Sequence, residues 1–172
     1  MIDKKETTER KNPFFEPYNT PHDTVPFDRI LLSDYEGAML EGIRRDDEEI
    51  DLIVNNPDTP TFDNTIVCTH EEKGPHYYDL LDRVTTVFFN LLSSETNDEM
   101  DALAQKMSPI LTKHENDVSL NKKLFERVKY VHEHHRELTP EEQTVLENSY
   151  NGFVRSGALL DEKDKEKLRK LS

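Results

Sequence analysis

The chain has 172 residues, which suits one domain, and a formal net charge of −14 at pH 7. This charge argues against nucleic acid and anionic membranes as partners, because both are bound through concentrated Lys and Arg. The single cysteine, Cys68, excludes an internal disulfide and a thiolate metal cluster. The charged start lacks the apolar segment of a signal peptide and no stretch is apolar enough to span a membrane, so a cytoplasmic location is expected.

The N-terminal part of the sequence predicts no α-helix. Residues 1–11 are charged and are predicted to form a disordered tail. Residues 12–32 are predicted to be an extended arm, because their four prolines disfavour helix. We expect aromatic rings to anchor this arm on the helical domain, residues 33–172: Phe14, Phe15, Tyr18 and Phe27. A ligand for a proline-recognition domain is the weaker alternative, since the arm has no PxxP repeat.

The rest of the chain predicts an all-α fold, an antiparallel bundle of about six to seven helices with short loops. The first helix is expected to begin at Ser33, with a capping box that includes Glu36. The second is expected to run from Thr61 to Gly74. The third, Tyr77–Ser94, is apolar over a wide arc, so we expect it to lie at the centre of the bundle.

The later helices have clear start signals. The fourth is expected to begin at a capping box opened by Thr96 and to kink at Pro109. The fifth is expected to begin at Asn121. The sixth has the strongest signal in the chain, because Thr139 opens a capping box and is followed by Pro140 at the first helical position.

The end of the sequence reads as an unfinished helix. Asp161 is predicted to cap a last helix that holds Leu168 and Leu171 and reaches Ser172. No C-terminal stop signal precedes that residue. We therefore expect the natural protein to continue beyond it.

Residues 132–136, HEHHR, resemble a His-Glu-x-x-His zinc motif, whose two histidines bind zinc and whose glutamate is the general base. His132 and Glu133 are in place, but Arg136 replaces the second histidine. His132 and His135 alone would bind a transition metal weakly, whereas a catalytic zinc needs three protein ligands. We favour a solvated helix face with one partly buried histidine.

The other candidates for chemistry have structural interpretations. His70 and His114 each begin an incomplete zinc motif, and His114 is expected to be hydrogen-bonded in the core. Cys68 and His70 are two residues apart, and side chains at that spacing do not face each other on a helix. Cys68 is therefore expected to be a small core residue. The acidic run 46–49 is expected to be solvated helix surface. The sequence assigns no catalytic, cofactor-binding or metal-ligating residue.

A string of segments carries a more specific signal. They are NPFF from Asn12, VPFDRI from Val25, PTFDNT from Pro60, LLDRV from Leu80, VFFNLLSSETNDE from Val87, SLNKKLFERVK from Ser119 and FVRSGALL from Phe153. In this order they resemble the N-terminal region of the thimet oligopeptidase family of zinc metallopeptidases. The bacterial peptidyl-dipeptidases are the nearest branch, and the oligopeptidases are the sister branch.

The resemblance implies a parent protein that is longer, mostly helical and two-lobed, with its zinc site downstream of Ser172. This chain would belong to the helical lobe that roofs the channel and limits access to short peptides. Its partners would be the catalytic lobe and the peptide substrates, whose C-terminal dipeptides the parent releases. The chain alone lacks the zinc motif and is expected to be inactive. Residues 69–79 depart from the family pattern and predict a lengthened loop.

Two other interpretations stay open. The first is a stand-alone acidic helical module that binds a partner protein or dimerises. The second is a weak metal binder that uses His132 and His135.

Overall fold

The computed structural model describes residues 10–68, 77–95, 97–134, 136–160 and 162–171. These residues contain α-helices and no β-strand, so the predicted all-α bundle is confirmed. The helices are α1 (Leu32–Val54), α2 (Leu80–Ser94), α3 (Asp98–Ser119), α4 (Lys122–His134), α5 (Pro140–Arg155) and α6 (Glu162–Leu171).

The proline-rich arm buries two of its four aromatic rings. It forms two short 3₁₀ turns, Pro13–Phe15 and Pro21–Asp23. Phe14 and Tyr18 are buried, whereas Phe15 and Phe27 are exposed. The backbone carbonyl of Phe14 also accepts a hydrogen bond of 3.0 Å from Arg83 of α2. The arm is therefore attached to the bundle by both apolar and polar contacts.

Asp34 organises the beginning of α1. Its carboxylate accepts two hydrogen bonds of 2.7 Å from the guanidinium of Arg10 and one of 2.7 Å from the backbone N–H of Leu31. These hydrogen bonds, with that from Arg10 the largest cause, hold the pKa of Asp34 below its ordinary value. The predicted capping box at Ser33 is wrong, because the cap position of the helix is Leu31, two residues earlier, and the carboxylate of Asp34 accepts from the backbone N–H of Leu31. Residues 1–9 of the predicted tail lie outside the described residues.

Helices α1, α2 and α3 surround the larger core. The ring of Tyr35 contacts that of Phe88 in a tilted arrangement, with centroids 5.2 Å apart, and Gly42 lies against Leu81, so α1 and α2 run antiparallel. The α2 side chains at the middle of the core are fully buried: Leu80, Val84 and Phe88. The central position predicted for this helix is therefore confirmed.

Helix α3 runs parallel to α1. Lys106 forms an ion pair of 2.6 Å with Glu36, and about two to three turns further along both helices His114 lies 3.2 Å from Asp46. The helix passes through Pro109. Its cap is Asn97, whose side chain accepts from the N–H of Met100, while the predicted cap, Thr96, lies outside the described residues.

Helices α4 and α5 form an antiparallel pair around a second, smaller core of Phe62, Val131 and Leu146. Two predicted starts are confirmed. The side chain of Asn121 accepts from the N–H of Leu124 at 3.1 Å. Thr139 and Glu142 form the reciprocal capping box, with hydrogen bonds of 3.2 and 2.7 Å. The predicted cap of the last helix, Asp161, lies outside the described residues.

The predicted second helix is replaced by a short π-helical turn, Asp63–Val67. The turn begins at Asp63 rather than at the predicted Thr61, whose hydroxyl accepts from the N–H of Asn64 at 3.2 Å. Cys68 then adopts a left-handed conformation with φ of +45°, which ends the turn. The prediction that this helix continues to Gly74 therefore fails at Cys68, and residues 69–76 lie outside the described residues.

Candidate functional site

The HEHHR stretch lies at the C-terminal end of α4, and its described histidines contact tyrosines. The ring of His132 stacks on Tyr150, with centroids 4.1 Å apart and an angle of 10°. The ring of His134 stacks on Tyr130 at 4.2 Å, and its Nδ1 lies 2.9 Å from the carbonyl oxygen of the same residue. His135 lies outside the described residues. The contacts of these two rings are those of a helix surface packed on α5 and on its own preceding turn.

His114 links α3 to the acidic run of α1. Its Nε2 lies 3.2 Å from Asp46 and its Nδ1 3.5 Å from Asp47, while its side chain is only 9% exposed. The hydrogen bond to Asp46 raises the pKa of His114 above its ordinary value, although burial opposes the shift. The prediction of a hydrogen-bonded core histidine is confirmed.

The acidic run 46–49 and its neighbours only partly match the predicted solvated surface. Glu41 accepts hydrogen bonds from Arg44 and Arg45, and these lower its pKa to about 2. This pairing is the surface pattern that the sequence predicts. Glu49 differs, because burial, aided by the charge of Asp46, raises its pKa to about 7. One carboxylate of the run therefore titrates near neutral pH.

Cys68 is a half-buried thiol at the end of the π-helical turn. Burial is the main reason that its pKa rises to about 11, and the charge of Glu49 adds to the shift. A thiol with this pKa is protonated at neutral pH and is a weak nucleophile. His70, its neighbour in sequence, lies outside the described residues.

The PTFDNT segment, residues 60–65, joins the end of α1 to α4. The guanidinium of Arg127 donates to the carbonyl of Asn56 at 3.0 Å and to the side chain of Asn64 at 3.1 Å. The same Asn64 oxygen accepts from the N–H of Thr61 at 2.8 Å. Phe62 fills the smaller core. These residues shape and hold a connection between helices, so the segment that best marks the resemblance has an architectural role.

A groove lies between α2, α3 and α5, and we call it the α2–α3–α5 groove. Its volume is about 700 Å³. The apolar side chains that line it are Leu81, Phe89, Leu111, Val118 and Phe153. Carboxylates of Asp46, Asp82 and Glu115 also line it, and α5 contributes Ser149 and Gly152. An apolar surface bordered by negative charge can hold an apolar ligand that carries cationic groups.

Comparison with known proteins relates the chain to peptidases. It is 37% identical over 163 residues to a dipeptidyl carboxypeptidase of Salmonella typhimurium, and 36% identical over 163 residues to one of Escherichia coli. No protein-family model matches the chain. Each alignment covers 94% of this chain but 23% of the relative.

The chain is homologous to a part of the dipeptidyl carboxypeptidases. The resemblance that the ordered segments indicate, to the N-terminal region of a peptidyl-dipeptidase, is thereby confirmed. The chain spans about a quarter of the length of the dipeptidyl carboxypeptidases it matches.

The described residues offer no candidate metal site. Within the described ranges, no group of three or more His, Cys, Asp or Glu side chains could hold a metal ion. Both ring nitrogens of His114 face carboxylates of α1, and the thiol of Cys68 stays protonated. In the same ranges no helix is long and apolar enough to cross a membrane.

The α2–α3–α5 groove was not predicted from the sequence. Its walls come from three helices, and their relative positions depend on contacts distant in sequence. One local signal did exist: Gly152 interrupts an otherwise regular helical pattern, and an isolated glycine in a helix often has a packing or functional reason.

Proposed function

We propose that this chain forms the helical, substrate-access region of a zinc-dependent peptidyl-dipeptidase. The homology to dipeptidyl carboxypeptidases over 94% of the chain is the observation that carries the proposal. The described residues supply no set of metal ligands. The zinc, the general base and the bond cleavage are therefore assigned to a separate catalytic part, which releases dipeptides from the C-termini of short peptides.

The role of the chain in this proposal is to limit access to a channel above the catalytic part. A rigid wall suits that role, because a flexible one would admit folded substrates. Two observations support rigidity: one face of α2 is fully buried through Leu80, Val84 and Phe88, and Arg127 holds residues 56–64 against α4 by hydrogen bonds to Asn56 and Asn64. The partners that follow from the proposal are the catalytic part and short peptide substrates.

A peptidase assay on the purified 172-residue chain tests whether catalysis requires the separate catalytic part. Peptides with free C-termini are incubated with the chain in the presence of zinc, and released dipeptides are quantified by mass spectrometry. We expect no release, because the described residues offer no zinc site. Dipeptide release that survives repurification and is abolished by a chelator would contradict the proposal.

The behaviour of the chain in solution distinguishes this proposal from the alternative of a stand-alone acidic module. Such a module would dimerise or bind a partner without any catalytic part. Light scattering over a wide range of protein concentration measures dimerisation directly. We expect the molecular mass to stay at 20.1 kDa throughout, and a concentration-dependent dimer would favour the module.

A further inference from the structure

The α2–α3–α5 groove presents apolar surface that no described residue covers. Phe89 shows this most clearly: it is 37% exposed, whereas the adjacent Phe88 is fully buried. Leu111 and Val118 of α3 are also only partly buried along the same groove. A volume of about 700 Å³ falls within the range of ligand pockets. Surface of this kind, bordered by polar residues, is typical of interaction sites.

Gly152 indicates the shape of the occupant. A β-carbon built at this residue would have no atom within 4 Å, so nothing in the described structure requires glycine there. Glycine inside a helix costs about 1 kcal/mol relative to alanine. Ser149, one turn earlier on the same wall, is also small. Small side chains allow the axis of a neighbouring helix to approach closely, so this wall suits a packed helix.

The charged side chains at the groove indicate the sign of the charge that the occupant carries. Asp82 and Glu115 are exposed and form no ion pair with any described residue. The carboxylate of Asp46 already contacts the ring of His114. Among the described residues that line the groove there is no Lys or Arg. His114 also lines the groove, but both of its ring nitrogens face carboxylates, those of Asp46 and Asp47. Asp82 and Glu115 therefore attract cations, which favours an occupant with Lys or Arg at its flanks.

We propose that the α2–α3–α5 groove is the docking site for one basic amphipathic helix, contributed by the catalytic part of the peptidase. Its apolar face packs on Phe89, Val118 and Phe153, its backbone approaches Gly152, and its Lys or Arg side chains pair with Asp82 and Glu115. The assignment of the helix to the catalytic part rests on the proposed function. It draws support from the relatives, about three-quarters of whose length has no counterpart in this chain.

Designed peptides test the groove without the catalytic part. The first probe is a dye-labelled amphipathic helix of about 18 residues, long enough to span the groove, with a leucine face flanked by lysines. The second has glutamate in place of each lysine, and the third has the first composition but two internal prolines that prevent helix formation. Fluorescence anisotropy against the full chain measures the dissociation constants. We expect the lysine helix to bind about tenfold or more tightly than the other two.

Variants of the chain locate the binding. Gly152→Leu fills the groove and should weaken binding of the lysine helix about tenfold or more. Its matched control is Glu147→Leu, on the same helix but outside the groove lining, and it should change binding little. Phe89→Ser removes the exposed ring and provides a second test if Gly152→Leu does not fold, as judged by circular dichroism.

A second pair of variants tests the charges. Asp82→Asn with Glu115→Gln should weaken binding of the lysine helix and flatten its salt dependence. Neutralising two carboxylates elsewhere, Glu141→Gln with Glu147→Gln, removes the same charge from the chain but should leave the salt dependence nearly unchanged.

Several results would overturn the docking site. They are the absence of binding by the lysine helix, equal binding by the glutamate or proline peptide, and equal effects of groove and control variants. Equal binding by the proline peptide would assign the groove to extended cationic peptides instead. The anisotropy titration measures binding and not hydrolysis. A negative titration would therefore overturn the docking site but not the proposed function, which the peptidase assay tests. A negative outcome for the proposed function would likewise not change the binding result.

Discussion

A β-carbon on Gly42 of α1 would stand 2.8 Å from the Cα atom of Leu81 in α2. Real β-carbons do not approach so closely, so these helices pack with the backbone of one against the backbone of the other. This contact fixes where α2 begins and hence where Leu81 and Asp82 stand in the α2–α3–α5 groove. Gly42 and Gly152 are thus opposite cases, because one glycine is required by the fold and the other faces open space.

We predict opposite effects when each of these glycines is replaced by alanine. Gly42→Ala should destabilise the chain by about 1–3 kcal/mol, because the helices must separate to admit the methyl group. Gly152→Ala should leave the free energy of unfolding unchanged or raise it by up to about 1 kcal/mol, since helix propensity improves. Urea unfolding followed by circular dichroism measures both. A Gly42→Ala variant as stable as the parent would contradict the backbone contact.

The adjacent rings of α2 should differ in their contribution to stability. Phe88 is fully buried in the larger core, so Phe88→Ala should cost about 3–5 kcal/mol. Phe89 is partly exposed at the groove, and Phe89→Ala should cost clearly less. Chemical denaturation of the two variants provides the comparison. A loss below about 1 kcal/mol for Phe88→Ala would mean that α2 is not central.

The contact between His114 and Asp46 should make stability depend on pH. The pKa of His114 is raised in the folded state, so the ion pair contributes fully below the ordinary pKa of histidine, near 6.5. That contribution is lost as pH rises through the raised value. His114→Gln should therefore cost about 1.5–3 kcal/mol at pH 6 and less at pH 9. Denaturation of parent and variant at both pH values checks this, and a pH-independent difference would contradict it.

Glu49 should titrate near neutrality. Its folded pKa of about 7 lies above its ordinary value of 4.5, so between these values the folded chain binds more protons than the unfolded chain. The contribution of Glu49 to stability therefore falls as pH rises from 4.5 to 7. Carbon-detected NMR of the side-chain carboxyl gives the midpoint directly. A midpoint near 4.5 would contradict burial of the charged group.

Local sequence signals located most of the helices correctly. The capping box predicted at Thr139 forms because three local signals coincide: the Thr139 hydroxyl at the cap position, Pro140 at the first helical position and the side chain of Glu142. The similar pattern at Ser33 fails because a distant cation, Arg10, holds Asp34, whose carboxylate satisfies the N–H of Leu31. A contact across 24 positions leaves no trace in a local motif.

The predictions for the residues that could carry chemistry were also correct where local sequence decides and incomplete where distant contacts decide. The apolar spacing around His114 correctly indicated a buried ring, but it gave no sign that the partners would be Asp46 and Asp47 of α1. The acidic run was expected to be solvated throughout, yet the packing of the bundle buries part of Glu49. The groove depends on the relative placement of three helices, which periodicity within each helix does not specify.

The central claim is that this chain works as one part of a peptidyl-dipeptidase. Sequencing the source gene and its transcript beyond the codon for Ser172 tests it most directly. We expect an open reading frame that continues into a helix with a complete His-Glu-x-x-His motif. A stop codon directly after Ser172 would contradict it, and the chain would then be studied as an independent helical module.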